Sequence, residues 1–166
     1  MEQKPNDIAI PPRGTKGTNM PGGAFLMRLA KPLIDRQVEG QRRAKGAEAK
    51  LFMGFPTLLL TTIGAKTGNE RTHILGGFPD GTDTWLVVAS KGGAAAHPAW
   101  FINAAKNPDK VWIQVGNRKM RVAVESLTGP EREHAYARVV AVAPRYADYL
   151  KKTDREIPVP RLTPAD

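Results

Sequence analysis

A chain of 166 residues, 41% hydrophobic and 25% charged, has the size and balance of one globular domain able to bury a core. The absence of cysteine excludes a disulfide framework, a zinc–cysteine site and a thiol nucleophile. A formal net charge of +9 and a pI near 10.0 admit nucleic acid, anionic lipid or an acidic small molecule as partner without choosing among them.

In chain order, residues 1–22 read as an extended or disordered lead-in, since Pro5, Pro11, Pro12 and Pro21 are interspersed with Gly14, Gly17 and Gly22. No basic segment followed by an apolar one is visible there, so no secretory signal is expected and the cytoplasm is the default location. Residues 23–166 are expected to form a single domain. It opens with a helix over residues 23–46, apolar along Phe25, Leu26, Leu29, Leu33 and Val38. Arg28, Lys31, Arg36, Arg42, Arg43 and Lys45 supply its polar side, and Pro32 should kink or divide it.

Strand signals come next. Residues 57–63 form a compact β-prone run, too short to span a membrane, closed by the turn Gly64-Ala65-Lys66-Thr67-Gly68. Residues 71–78 are expected to pair with 85–89 across a turn containing Asp80-Gly81. Pro98 should open a short helix to residue 106. Residues 110–115 and 118–126 make a second hairpin across Gly116-Asn117. Thr128 is placed to cap a helix reaching about residue 143, which Pro144 interrupts before residues 146–152 resume helical turns. Ile157-Pro158-Val159 reads as a terminal edge strand. Hairpin-joined strands with helices inserted predict an antiparallel α+β fold.

Several chemistries are disfavoured. His73, His97 and His134 are the only histidines and show no paired-ligand spacing, so no metal site is expected. Neither Ser90 nor Ser126 lies in a GxSxG elbow, which argues against a serine hydrolase. Gly64-Ala65-Lys66-Thr67 lacks the first glycine and spacer of a Walker A loop. Two features stay in view. Lys66 and Arg71 are either solvated turn charges or a clamp for a phosphate or carboxylate. Ser90-Lys91-Gly92-Gly93 is either a flexible loop or a set of N–H groups and a hydroxyl facing a polar ring edge. Trp100 suits core packing as well as a pocket wall, and Tyr146 and Tyr149 lie three apart on one helical face.

Taken together, Leu58–Gly68, Arg71, Val87–Gly93, His97-Pro98-Ala99-Trp100 and Asn103 with Pro108 resemble the deazaflavin-dependent nitroreductase family. Ala141–Tyr149, Thr153-Asp154-Arg155 and Ile157-Pro158-Val159 extend the resemblance, which covers roughly residues 55–164. It implies a split β-barrel of antiparallel strands with flanking helices, and coenzyme F420, an 8-hydroxy-5-deazaflavin with a polyanionic tail. By the same resemblance, Lys66 and Arg71 hold the phosphate region. Ser90, Lys91, Gly92 and Gly93 run along the deazaflavin, while Trp100 and Asn103 shape the pocket. Tyr146 and Tyr149 stand on the substrate side, and their hydroxyls and that of Ser90 are the candidates for stabilising or protonating the acceptor. Ile74 stands where many relatives carry proline. The implied reaction is hydride transfer to an electron-poor acceptor: a quinone, a nitroaromatic or an activated enone. Split barrels of this kind are often homodimers. The basic amphipathic segment 23–46 adds the expectation of peripheral contact with an anionic membrane, against packing on the barrel. Two other readings stand beside this one: an FMN enzyme on a related barrel, and a non-catalytic basic module binding nucleic acid. The second is disfavoured because no recognition motif appears.

Overall fold

The computed structural model describes residues 8–19 and 22–165. Helix α1 (Gly23–Arg42) leads into a short hairpin of β1 (Lys50–Phe52) and β2 (Phe55–Ile63). Met53 and Gly54 turn it with φ of 51° and 85°, as a two-residue hairpin connection requires. In β2 the continuous run Leu58-Leu59-Leu60 lacks alternation because neither face meets solvent. β3 (Glu70–Gly76) pairs antiparallel with β2 over its whole length, from Thr57↔Gly76 to Ile63↔Glu70. The other edge of β2 is shared between β1 and, further along, a later strand.

β3 continues across Gly77 into β4 (Phe78–Pro79), and the Gly77 N–H donates to Pro56 O at 3.0 Å. β4 pairs with β5 (Trp85–Leu86) for two residues only. The expected hairpin is thus confined to residues 78–86, and residues 71–76 pair with β2 instead. Past Leu86, Val87 and Ala89 donate to Pro160 O and Pro158 O, turning away from β3. The sheet is split at that divergence. Helix α2 (Ala99–Lys106) follows Pro98, and then β6 (Trp112–Val115) and β7 (Arg118–Ser126) form the second expected hairpin. β6 takes the remaining edge of β2 at Leu59–Thr61. β7 bonds β6 with its first half and β8 (Pro160–Pro164) with its second, and β8 pairs with β5. Pairing therefore runs around a ring of antiparallel strands, the split β-barrel of an α+β fold.

Alternation of side chains then sorts two cores. Trp85, Val87 and Ala89 face the ring interior with Leu58, Leu60, Ile113, Val122 and the α2 residues Trp100 and Phe101. Leu86 and Val88 face outward, beneath α3 (Gly129–Val142) and α4 (Arg145–Lys152). Thr128 occupies the N-cap position of α3 but its hydroxyl makes no capping bond.

Expectations for the terminal strand and for α1 need correction. The terminal strand begins at Pro160 and lies between β7 and β5, so it is not an edge; residues 157–159 run up to it as buried extended chain. α1 stops at Arg42 and continues through Pro32 undivided, because the bond lost at the proline lies on the exposed side where water replaces it. Of its anticipated apolar side only Val38 is buried, while Phe25, Leu26, Leu29 and Leu33 are 49% to 66% exposed. Among the described residues, hydrogen bonds hold α1 to the barrel at its C-terminal end, through Gln41 to Thr57, Arg42 to Thr72, Lys50 to the Gly40 carbonyl, and Gln114 to the Gln41 and Arg42 carbonyls. The lead-in, where described, is an extended strap over residues 8–19 that packs Ile8 and Ile10 on the barrel core; residues 1–7, 20 and 21 lie outside the described residues.

Candidate active site

β3 has β2 on one side and the split on the other, so the residues that border the split are those of β3, its preceding turn and the helix that overhangs it. The turn is closed by Gly64 N–H to Asn69 O at 2.7 Å and Gly68 N–H to Gly64 O at 2.8 Å, with Gly68 at φ 70°. Asn103, buried in α2, accepts from the Ala65 N–H at 3.0 Å, and Asn107 donates to Ile63 O at 3.2 Å. Asn103 therefore positions the turn from behind, leaving Lys66 and Arg71 exposed at its mouth. Arg71 lines a polar cleft of about 380 Å³ with Lys31 and Arg42, in which Asp35, Glu39 and Glu70 also stand.

Thr72 and His73 belong both to that cleft and to a larger cavity of about 720 Å³ between α1, β3 and α4. The larger cavity is walled by Met27 and Ile34 of α1, Phe55 of β2, Ile74 of β3, and Tyr146 and Tyr149 of α4. Tyr146 sits edge-on to Phe55, Phe78 and Tyr149, with ring centroids 6.2, 5.5 and 5.2 Å away. Burial, and secondarily the neighbouring Tyr149, push its hydroxyl up to a pKa of about 12. It is a proton-bearing donor throughout the neutral range. The Tyr149 hydroxyl accepts from Arg145 Nε at 3.1 Å, which leaves its own O–H to point elsewhere.

Ser90 is buried at the start of a tight turn in which Lys91, Gly92 and Gly93 all have positive φ, at 44°, 61° and 82°. Gly93 packs against α4: a Cβ there would fall 2.7 Å from Lys152 Cβ and 3.3 Å from Tyr149 O. Thus the structure brings the Ser90–Gly93 turn to the helix that carries Tyr146 and Tyr149, and puts Arg71 on the strand that leads to their cavity. Of the residues singled out from sequence, Tyr146 and Tyr149 line the large cavity and Arg71 the polar cleft; Lys66, Ser90, Lys91, Gly92, Gly93, Trp100 and Asn103 line neither. Trp100 is 5% exposed, packed edge-on to Phe101 inside the barrel.

Sequence reasoning passed over His73. Its Nδ1 is buried and has no hydrogen-bond partner among the described residues, as does Thr62 Oγ1 on the paired strand. Burial, then the Arg71 charge, lowers the His73 pKa below its ordinary 6.5, so the ring is neutral at pH 7. The only advance signal was its place two residues beyond Arg71, on the same face of a strand. A planar conjugated ring fits the large cavity, with apolar walls for its faces and the tyrosine hydroxyls at a polar edge, and an anionic group fits the cations at the mouth.

Comparison with known proteins gives the same chemistry. The F420H(2)-dependent quinone reductase family matches residues 33–164. An F420H(2)-dependent quinone reductase of Mycobacterium tuberculosis is 42% identical over 113 residues, covering 65% of this chain and 73% of its own. Among solved structures, an F420-H2 dependent reductase, FDR-A, is 39% identical with a TM-score of 0.59, over 65% of this chain and 94% of its own. A domain-swapped dimer is 33% identical with a TM-score of 0.61, over 83% and 99%. The resemblance to deazaflavin-dependent nitroreductases holds as one to F420-dependent reductases, the matched family being named for quinones. That match selects the deazaflavin over FMN and over a non-catalytic basic module. The chain belongs to the F420H(2)-dependent quinone reductase family, and is an oxidoreductase that uses coenzyme F420.

Proposed function

We propose that the chain reduces a quinone-type acceptor held in the cavity between α1, β3 and α4. The observation that carries this reading is the continuity of β3. Thr72 and His73 join an apolar cavity ending at two tyrosine hydroxyls to a polar cleft holding Arg71. When bound, the deazaflavin supplies the hydride. Lys66 and Arg71 would hold its phosphate region, the Arg71 guanidinium being the side chain suited to a bidentate contact. Ser90, Lys91, Gly92 and Gly93 would lie beside its ring, with Trp100 stiffening the barrel, and Asn103 holds the turn that carries Lys66.

Phe55, Ile74 and the α1 side chains keep water from the acceptor. Quinone reduction places negative charge on a carbonyl oxygen, and a preorganised donor stabilises it there. Tyr146 serves as that donor, since burial keeps its proton on, with Tyr149 and Ser90 as the further hydroxyls. Nitroaromatics and activated enones fit the same chemistry, because each also gathers charge on an oxygen.

Tryptophan quenching on titration with the deazaflavin coenzyme, and separately with FMN, tests the cofactor; steady-state turnover of a quinone series tests the acceptor. Tight deazaflavin binding with quinone turnover supports the reading, and binding without turnover of any quinone defeats it.

No helix among the described residues is long and apolar enough to cross a membrane. Peripheral contact with an anionic bilayer is supported by the exposed Phe25, Leu29 and Leu33 beside Arg28 and Arg36, an amphipathic pattern suited to an interface that dissolves lipid quinones. A homodimer is the alternative cover for that face, and the domain-swapped neighbour favours it. Sedimentation with anionic vesicles at low and high salt, beside sedimentation without lipid, separates the two.

A further inference from the structure

We propose that Thr153-Asp154-Arg155 is a clasp through which the N-terminal strap sets the Ser90–Gly93 turn, so that strap attachment and deazaflavin binding are coupled. The inference rests on the cofactor reading of that turn. Arg155 is 6% exposed and forms no ion pair among the described residues. Its guanidinium is satisfied mainly by backbone: it donates to Ala89 O at 3.1 Å, Ser90 O at 2.9 Å, Ala94 O at 2.7 Å and Glu156 O at 3.4 Å, and Nη1 also meets His97 Nδ1 at 3.2 Å. Those carbonyls bracket the three residues of positive φ, a backbone shape that Lys91 adopts only when its surroundings impose it.

The neighbouring residues hold the strap. The Asp154 carboxylate accepts from Thr15 N at 2.9 Å, from Lys16 N at 3.0 Å and from the Thr15 hydroxyl. The Thr153 hydroxyl donates to Lys16 O at 2.9 Å. The strap in turn takes the turn's outer carbonyls, Thr18 N to Gly93 O and Gly14 N to Ala95 O at 2.9 Å each, and the Thr18 hydroxyl to Gly92 O at 3.1 Å. Contact is so close that a Cβ on Gly17 would fall 2.2 Å from Ala95 N. One side of the turn is thus fixed by Arg155 and the other by the strap. A ligand that requires this shape must tighten the strap by the same factor by which the strap tightens the ligand.

The test uses the full chain and coenzyme F420, following trypsin cleavage after Arg13 and Lys16 by mass spectrometry. Saturating coenzyme should slow both cleavages about tenfold. Asp154→Ala, which removes the carboxylate, and Gly17→Ala, which wedges the strap off sterically, should each raise the coenzyme Kd about tenfold and the coenzyme KM more than kcat. Wild-type protein that binds the coenzyme without strap protection, with both variants binding equally tightly, overturns the clasp and leaves the functional reading intact. Failure of wild type to bind the coenzyme overturns both.

Discussion

The hydroxyl of Tyr146 lies so close over Gly76 that a Cβ at that glycine would fall 2.7 Å from it, and 3.1 Å from the Phe55 ring. Gly76 is the last residue of β3, and Tyr146 belongs to a helix seventy positions later. Their approach sets where the proposed proton donor points. Gly76→Ala should therefore displace the phenol and lower kcat/KM for the acceptor about tenfold, with coenzyme affinity within about twofold of wild type. Tyr146→Phe should lower kcat about a hundredfold, the lower end of what a positioned acid contributes. The double variant should be no worse than Tyr146→Phe, because phenylalanine lacks the atom that the new methyl meets. Additive losses in steady-state kinetics would show that Gly76 acts elsewhere.

Raised by burial to about 12, the Tyr146 pKa also bears on pH dependence. An acid held protonated loses its donor only above its own pKa, so kcat should show no falling limb near pH 10, where an ordinary tyrosine ionises. Unchanged kcat in Tyr146→Phe together with its loss in Tyr149→Phe would move the donor role to Tyr149. Otherwise Tyr149→Phe should reduce turnover several-fold and leave coenzyme affinity nearly intact.

Lys66 and Arg71 stand exposed at the cationic mouth. Charge-assisted hydrogen bonds contribute about 1.5–3 kcal/mol, so Lys66→Ala or Arg71→Ala should weaken coenzyme binding about tenfold or more. Arg71→Lys should recover only part, since a point charge cannot make the bidentate contact. Isothermal titration at two salt concentrations checks this: unchanged affinity in both alanine variants would place the phosphate elsewhere.

His73 is neutral at pH 7, its pKa lowered first by burial and then by the Arg71 charge. A histidine with a depressed folded-state pKa contributes stability in full above its unfolded value of about 6.5, and loses it as pH falls from there toward the lowered one. The His73 ring resonance should thus titrate below pH 6.5 by NMR, and its titration should shift when the coenzyme's phosphate reaches Arg71. His73→Leu should lower coenzyme affinity or acceptor turnover about tenfold. A titration at 6.5 unaffected by the coenzyme would remove His73 from the site.

α1 presents Phe25, Leu29 and Leu33 to solvent, so Leu33→Glu should leave the melting temperature within a few degrees. It should abolish sedimentation with anionic vesicles at low salt if lipid covers this face. Should wild-type protein stay in the supernatant and run as a dimer that Leu33→Glu dissociates, a second copy covers it instead.

Much of the fold was legible because it depends on near neighbours. The β-prone run of β2, the Gly64–Gly68 and Gly116–Asn117 turns, Pro98 before α2 and Pro144 before α4 each express the dihedral preferences of a few adjacent residues. The ordered motifs around Lys66, Arg71, Ser90–Gly93 and Tyr146 were likewise enough to indicate an F420-dependent chemistry. Ring closure decided the rest. Only when β7 passes from β6 to β8 does β8 become an inner strand, and only when β4 continues β3 does the split open beside Ile74. The same closure keeps α1 outside the core with its leucines exposed, buries Trp100, and carries Tyr146 to Gly76. Local preference sets what each segment is; contacts distant in sequence set which atoms meet, because a strand's partner is determined by the edge left unpaired when the barrel closes.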